Sequence, residues 1–255
     1  MIQAMLTVAA GKRLIGKGLA SHPDIKKALD EGTIVIIAGT TNGYVAEEIL
    51  KLTGQGGDFN RSRFFRGVTM PPAHKVSVSG RLTDKRGFPG DVIIRKGKWI
   101  KGKTINEIAS ELIEGDIILK GANALDSTSR RAAIIIGNEN GGTIIPVLQA
   151  SIGRRVRLII PVGLEKRIPG NLDELACKIN APGAEGYRIL PITGEVFTEQ
   201  DALFSLAGVT AEIFAAGGIG GAEGCIRMVI NGLPAQEKAA EKIIKSVAGE
   251  VFFTI

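Results

Sequence analysis

Ile34-Val35-Ile36-Ile37-Ala38-Gly39-Thr40-Thr41-Asn42-Gly43-Tyr44-Val45-Ala46-Glu47-Glu48-Ile49-Leu50 is the stretch whose reading decides the fold. Four apolar β-formers run into a Gly-Thr-Thr-Asn-Gly turn, and apolar residues at helical spacing follow at once. The segment reads as a buried strand, a short polar turn and a helix, the repeating unit of an α/β protein. A strand that ends in small polar residues at a helix N-terminus makes an anion pocket. Free N–H groups point outward there, the helix dipole adds partial positive charge, and threonine hydroxyls supply further donors. Gly39, Thr40, Thr41, Asn42 and Gly43 are the first candidate ligand residues. The plainer alternative is a turn in which Thr41 or Asn42 caps the helix and nothing binds.

The bulk properties limit what surrounds this unit. The chain has 255 residues, 44% of them hydrophobic, with 34 glycines and one tryptophan. That suits one large α/β domain, or one domain with a small satellite. No apolar run approaches the roughly 18 residues that cross a bilayer, and Lys12, Arg13 and Lys17 interrupt the opening segment. We therefore expect no membrane partner and a cytoplasmic protein. Cys177 and Cys225 lie far apart without metal-ligand spacing and read as small buried thiols. His22 and His74 are too few for a histidine metal site or a histidine-dependent triad, so no metal and no cofactor are expected. The net charge is +6, with dispersed basic residues apart from clusters at 61–66, 95–103 and 130–131. Aromatic residues are scarce and no recognition-helix motif appears, so attraction of anionic metabolites explains the charge better than nucleic acid does.

Along the chain, helices are expected over residues 11–19 and 23–29, a strand over 33–38 and a helix over 44–52. Residues 54–75 look irregular. From 76 to 101 the pattern alternates with turns at 84–87 and 96–97, a small antiparallel excursion. Thr104-Ile105-Asn106-Glu107 is a capping box. Apolar strands then recur at 117–119, 132–136 and 157–162, the last continuous as in the middle of a parallel sheet. From 187 onward the order strand, helix, strand, strand, helix, strand matches a ferredoxin-like unit. A boundary near 182–186 divides an α/β ligand-binding domain, 1–185, from this ferredoxin-like domain, 186–255.

Two further loops follow strands and carry polar groups. In open α/β sheets ligands sit beyond the carboxyl ends of the strands, so such loops converge. In Lys120-Gly121-Ala122-Asn123-Ala124-Leu125-Asp126, Lys120 suits a phosphate, while Asn123 and Asp126 suit hydroxyls or a proton. In Gly137-Asn138-Glu139-Asn140-Gly141-Gly142-Thr143, Gly141, Gly142 and Thr143 open a helix and let backbone N–H groups approach a ligand. Each is also readable as a solvated polar turn. Glu165, after the strand ending near Val162, is a candidate general base beside Asp126, against the plain reading of a solvated charged turn.

The order of elements resembles the superfamily of ribose-5-phosphate isomerase, glucosamine-6-phosphate deaminase and CoA transferases, over residues 10–170. Gly39-Thr40-Thr41-Asn42 sits where that superfamily has its Gly-Thr-Gly-Ser-Thr phosphate loop. Gly121-Ala122-Asn123-Ala124-Leu125-Asp126 is similar to its Gly-Ala-Asp/Asn-Gly-Ile segment. Asn123 stands where the isomerases have Asp, and the Asp-Gly-Ala-Asp-Glu and Lys-Gly-Gly-Gly signatures are absent. The resemblance implies a mostly parallel sheet flanked by helices and a sugar phosphate as ligand, transformed or merely bound. The expected partners are that small anionic metabolite and a second copy of the chain in a homodimer. The rival reading is a non-catalytic regulatory or assembly protein that senses an effector through its terminal unit.

Overall fold

The computed structural model describes residues 1–71, 74, 77, 80, 81 and 88–253. The chain begins β1 (Ile2–Leu6), α1 (Val8–Ser21), α2 (Pro23–Glu31), β2 (Thr33–Ile36), α3 (Thr40–Leu52), β3 (Val92–Arg95) and β4 (Lys98–Ile100). It continues α4 (Ile105–Ile108), β5 (Ile117–Leu119), β6 (Ala124–Asp126), β7 (Arg131–Ile136), α5 (Ile144–Gly153), β8 (Arg157–Pro161) and α6 (Leu172–Ile179). It closes with β9 (Arg188–Ile192), β10 (Glu195–Phe197), α7 (Glu199–Ala207), β11 (Thr210–Ala216), β12 (Ile226–Asn231) and α8 (Pro234–Val247). No helix among the described residues is long and apolar enough to cross a membrane.

Ile34, Val35 and Ile36 are 0% exposed, which only an interior strand allows. β2 accordingly lies inside a six-stranded sheet ordered β10-β8-β5-β2-β3-β4. β10, β8, β5 and β2 run parallel, each hydrogen-bonded to the next. β3 and β4 complete the sheet as an antiparallel hairpin. Lys96 (φ 47°) and Gly97 (φ 74°) turn that hairpin with both residues left-handed, as a two-residue type I′ turn requires. The alternating run at 76–82 and the turn at 84–87 lie, apart from Ser77, Gly80 and Arg81, outside the described residues.

Helix α1 packs against α3 and α7. Its glycines set that distance: a Cβ on Gly16 would meet the Tyr44 carbonyl oxygen at 2.9 Å, and one on Gly18 would meet Ala202 Cβ at 2.7 Å. The roughly 1 kcal/mol that a mid-helix glycine costs is offset by this close approach. Arg13, 8% exposed, is drawn into the same helix layer by three carboxylates. Its guanidinium donates to Glu47 (2.6 Å), Glu48 (2.7 Å) and Glu250 (2.8 Å). Arg61 lies over the Tyr44 ring at 3.9 Å and donates to Glu47 at 3.2 Å. Phe65 meets Phe253 edge-on at 5.8 Å. The segment after α8 therefore holds residues 61–65 against α1 and α3.

The C-terminal third departs from the ferredoxin-like expectation. Its strands are shared among three sheets: β9 pairs with β7, β10 pairs with β8, and β11 pairs with β12. The third strand beside β12 is β1, which aligns Ile2 with Ile230 and Leu6 with Ile226. Residues 250–253 form no strand. Ile2–Leu6 takes the place beside β12 that a ferredoxin-like unit gives to its own first strand, here β9, which pairs with β7 instead, while Glu250 is held by Arg13. Pairing therefore crosses the boundary expected near 182–186 on both sides. β7 likewise lies outside the main sheet, in the antiparallel order β6-β7-β9. Cys225 is buried and Cys177 exposed, both as free thiols.

Candidate functional site

The carboxyl ends of β2 and β5 open onto a cavity of about 780 Å³. Gly39, Thr40, Thr41 and Asn42 line it at one wall, Lys120, Gly121 and Asn123 at a second, and Gly141, Gly142 and Thr143 at a third. The polar turn is shorter than its sequence suggests. Only Gly39 lies outside the helix, as an N-cap without a side-chain hydrogen bond, and Thr40 to Gly43 form the first turn of α3. That leaves the first N–H groups of a 13-residue helix without a capping side chain. Asn42 donates its amide to the carbonyls of Ile37 (2.8 Å) and Leu119 (2.9 Å), clipping the ends of β2 and β5 together. Its Oδ1 and the hydroxyl of Thr41 are buried without a partner among the described residues.

Lys120, 8% exposed, follows β5 and donates from Nζ to the Thr143 hydroxyl at 3.1 Å, which joins the second wall to the third. Burial pulls its ammonium down to about 8, the positive charge of Arg66 adds to that, and Asp91 opposes it. Asn123 accepts from the Ile135 N–H at 3.0 Å and so fixes β7 beside the cavity. Gly141 (φ 76°) and Gly142 (φ 63°) occupy left-handed backbone that their lack of Cβ permits.

Sequence reasoning missed the strongest charges. Arg66 and Arg81 line the cavity, and both are packed on the Phe88 ring, at 5.2 and 3.9 Å. Behind the lining, Asp91 is 1% exposed and accepts from Arg66 (2.5 Å), Ala38 N–H (2.9 Å) and Ile105 N–H (2.8 Å). Burial, and then the charge of Arg66, pull the Arg81 guanidinium below its ordinary value. Lys166 also lines the cavity and donates to the Ala122 carbonyl at 2.7 Å, its ammonium lowered by burial. Among the described lining residues four are cationic and none is a carboxylate. The signal available in sequence was an irregular, arginine-bearing segment directly after the first strand-helix unit; long structureless stretches of that kind are often binding loops. His74, an exposed residue, also lines the cavity.

Three candidates lie elsewhere. Gly43 faces Arg61, whose Cγ would stand 2.8 Å from a Cβ there. Asp126 is outside the lining and closes a turn, accepting from Thr128 N–H (3.0 Å), Ser129 N–H (3.1 Å) and the Ser129 hydroxyl (2.5 Å). The Ser129 donors hold its carboxyl below the usual range, so it is no proton acceptor for the cavity. Glu165 is also outside the lining, with Lys12 Nζ at 3.6 Å.

Glu165 belongs instead to a buried carboxylate pair with Glu199, which is 2% exposed and accepts from the Leu164 N–H at 3.0 Å. Burial, then the charge of Glu165, push the Glu199 carboxyl up to about 8 from an ordinary 4.5. The folded chain thus keeps a proton that the unfolded chain releases. Its contribution to stability is full below pH 4.5 and is lost as pH rises toward 8. Glu199→Gln keeps the acceptor oxygen and removes the titration. We expect it to match the parent near pH 4.5 and to exceed it by about 1–3 kcal/mol at pH 8.5 in urea melts. A constant difference across that range counts against the buried proton.

No family model, no curated protein and no solved structure matches the chain.

Proposed function

We propose that the cavity binds a small phosphate-bearing metabolite, a sugar phosphate being the class that the superfamily resemblance implies. The observation that carries this reading is the lining: Arg66, Arg81, Lys120 and Lys166, with no carboxylate among the described lining residues. Asp91 offsets one of these charges from behind, and the carboxylate of Glu165 attracts Lys166. Arg66, Arg81 and Lys120, less Asp91, leave a surplus of about two positive charges, which a phosphate monoester matches at neutral pH. Arg66 and Arg81 present planar donor forks suited to phosphate oxygens, and the uncapped N-terminus of α3 adds backbone donors.

Transformation of the ligand is the finer part of the proposal. A carboxylate base of the isomerase kind has no representative among the described lining residues. Proton transfer then falls to Lys120, whose amine takes up and releases a proton near pH 8. The same lack of a carboxylate favours a second reading, in which the protein binds its metabolite as a sensor without converting it.

Thermal melts with inorganic phosphate and ribose 5-phosphate test the binding reading. At a hundredfold excess over Kd, ligand linkage supplies about 2.7 kcal/mol, which raises Tm by roughly 5–10 °C for a chain of this size. Arg66→Ala is expected to remove most of that rise. Unchanged Tm with both ligands at saturating concentrations overturns the reading.

A further inference from the structure

The cavity extends well past its cationic end. Its 780 Å³ lies in the upper part of the roughly 300–1,000 Å³ range of pockets that enclose drug-sized ligands. One phosphate, or a five-carbon sugar phosphate, leaves much of that volume unfilled. The remaining wall is of a different character: Val68, Met70, Ile136, Ile145 and Tyr187 line it. Tyr187 keeps 59% of its surface exposed, although its neighbours in this wall are apolar.

Gly137 lies against both Val68 and Tyr187 in this wall. A Cβ built there would stand 3.4 Å from Val68 Cγ2 and 3.9 Å from the Tyr187 ring, ordinary contact distances to both. Having no side chain, the glycine leaves the Val68 methyl and the Tyr187 ring beside it uncovered on the cavity side. A planar ring suits such a wall, because an exposed tyrosine ring beside apolar side chains offers a stacking surface. Polar groups for a ring edge stand beside it. Asn138 and Asn140 line the cavity, and the Asn140 side chain makes no hydrogen bond among the described residues. An amide offers both donors and an acceptor, the combination that a nucleobase edge requires.

Resting on the phosphate reading above, we propose that the ligand is a nucleoside phosphate, with its phosphate at Arg66, Arg81 and Lys120 and its base against the wall of Val68 and Tyr187. The ribose then spans the wall formed by Asn123 and Ile136. Specificity comes from this wall and affinity from the cations.

Isothermal titration of the full chain with inorganic phosphate, ribose 5-phosphate and adenosine 5′-phosphate separates the two claims. Stacking on an aromatic side chain predicts that adenosine 5′-phosphate binds roughly 5- to 150-fold more tightly than ribose 5-phosphate. Tyr187→Ala, at an exposed position, is expected to erase that ratio and leave ribose 5-phosphate affinity within about twofold. Gly137→Ala places its methyl at ordinary contact distances from Val68 and Tyr187, so it folds, and it covers part of that surface; it too is expected to lower the ratio. Equal affinity for the two ligands in the parent chain, or equal losses for both in Tyr187→Ala, overturns the nucleoside proposal while the phosphate reading stands. Absence of binding by all three ligands overturns both.

Discussion

Lys120→Met is expected to make the ligand-free chain more stable and to abolish phosphate binding. Lys120 is 8% exposed, its hydrogen-bond partner is the neutral hydroxyl of Thr143, and Arg66 repels it. Methionine has similar length and asks for no solvation. Replacing a buried charge by a hydrophobic residue of matching volume is neutral or stabilising by roughly 1–4 kcal/mol. The gain has a pH signature. The folded chain releases the Lys120 proton near 8, the unfolded chain near 10.5. The parent therefore recovers stability as pH climbs from 8 toward 10.5, and the advantage of Lys120→Met shrinks over the same interval. Melts at pH 7 and pH 10 measure this, with and without inorganic phosphate. A variant less stable than the parent at pH 7, or one that still binds phosphate as tightly, would sink the assignment of Lys120 as an uncompensated ligand-binding cation. Stability given up at a site in exchange for affinity is the usual sign of function.

Asp91→Ala is expected to cause the largest loss of stability. The carboxylate is 1% exposed and serves three donors at once: Arg66, the N–H of Ala38 at the end of β2, and the N–H of Ile105 at the start of α4. Removing it strands a buried guanidinium and two buried backbone donors. Breaking a buried ion pair from one side costs roughly 3–5 kcal/mol, and each orphaned donor adds about 1–3 kcal/mol. Against a typical total of 5–15 kcal/mol, that threatens the fold itself. Asp91→Asn, which retains one acceptor and the side-chain volume, is expected to lose less. Urea denaturation of both variants provides the comparison. A loss below about 1 kcal/mol for Asp91→Ala would mean that the Arg66–Asp91 pair contributes little in solution.

The parts of this molecule legible in sequence are those whose cause is local. The apolar run 34–37 needs only its own composition to become an interior strand. Thr198 and Asp201 form a capping box within one turn, and Gly208 ends α7 in the left-handed conformation (φ 68°). The loops at Gly39, Lys120 and Gly141 were readable as candidates because each follows a strand, and parallel strands carry their termini to one edge. The misplaced candidates failed for equally physical reasons. Asn123 and Asp126 lie three residues apart on extended chain, so they point to opposite faces, and Asn123 alone meets the cavity. Glu165 answers to α1 and α7, elements distant in sequence. Arg66 sits on chain without helical or strand period, and Arg81 in an alternating run that pointed to a strand rather than to a site. Arg66 is carried in by Arg61 on Tyr44 and by Phe65 on Phe253, contacts no short window contains. The strand β1 escaped notice because its alternation spans five residues and its partner lies in the last third of the chain.

That pairing of β1 with β12 has a kinetic consequence. Among the described residues β1 has one strand neighbour, so its edge stays open until residues 226–231 exist. Synthesis at roughly 5–20 residues per second leaves it waiting about 10–45 seconds after it emerges. Helix α1 follows directly, and its glycine-lined faces wait for α7 as well. β1 thus stays unpaired until most of the described chain has been made. A closing step of such long sequence separation is slow, and until it occurs the free edge of β1 is open to a chaperone or to the β12 of another nascent copy.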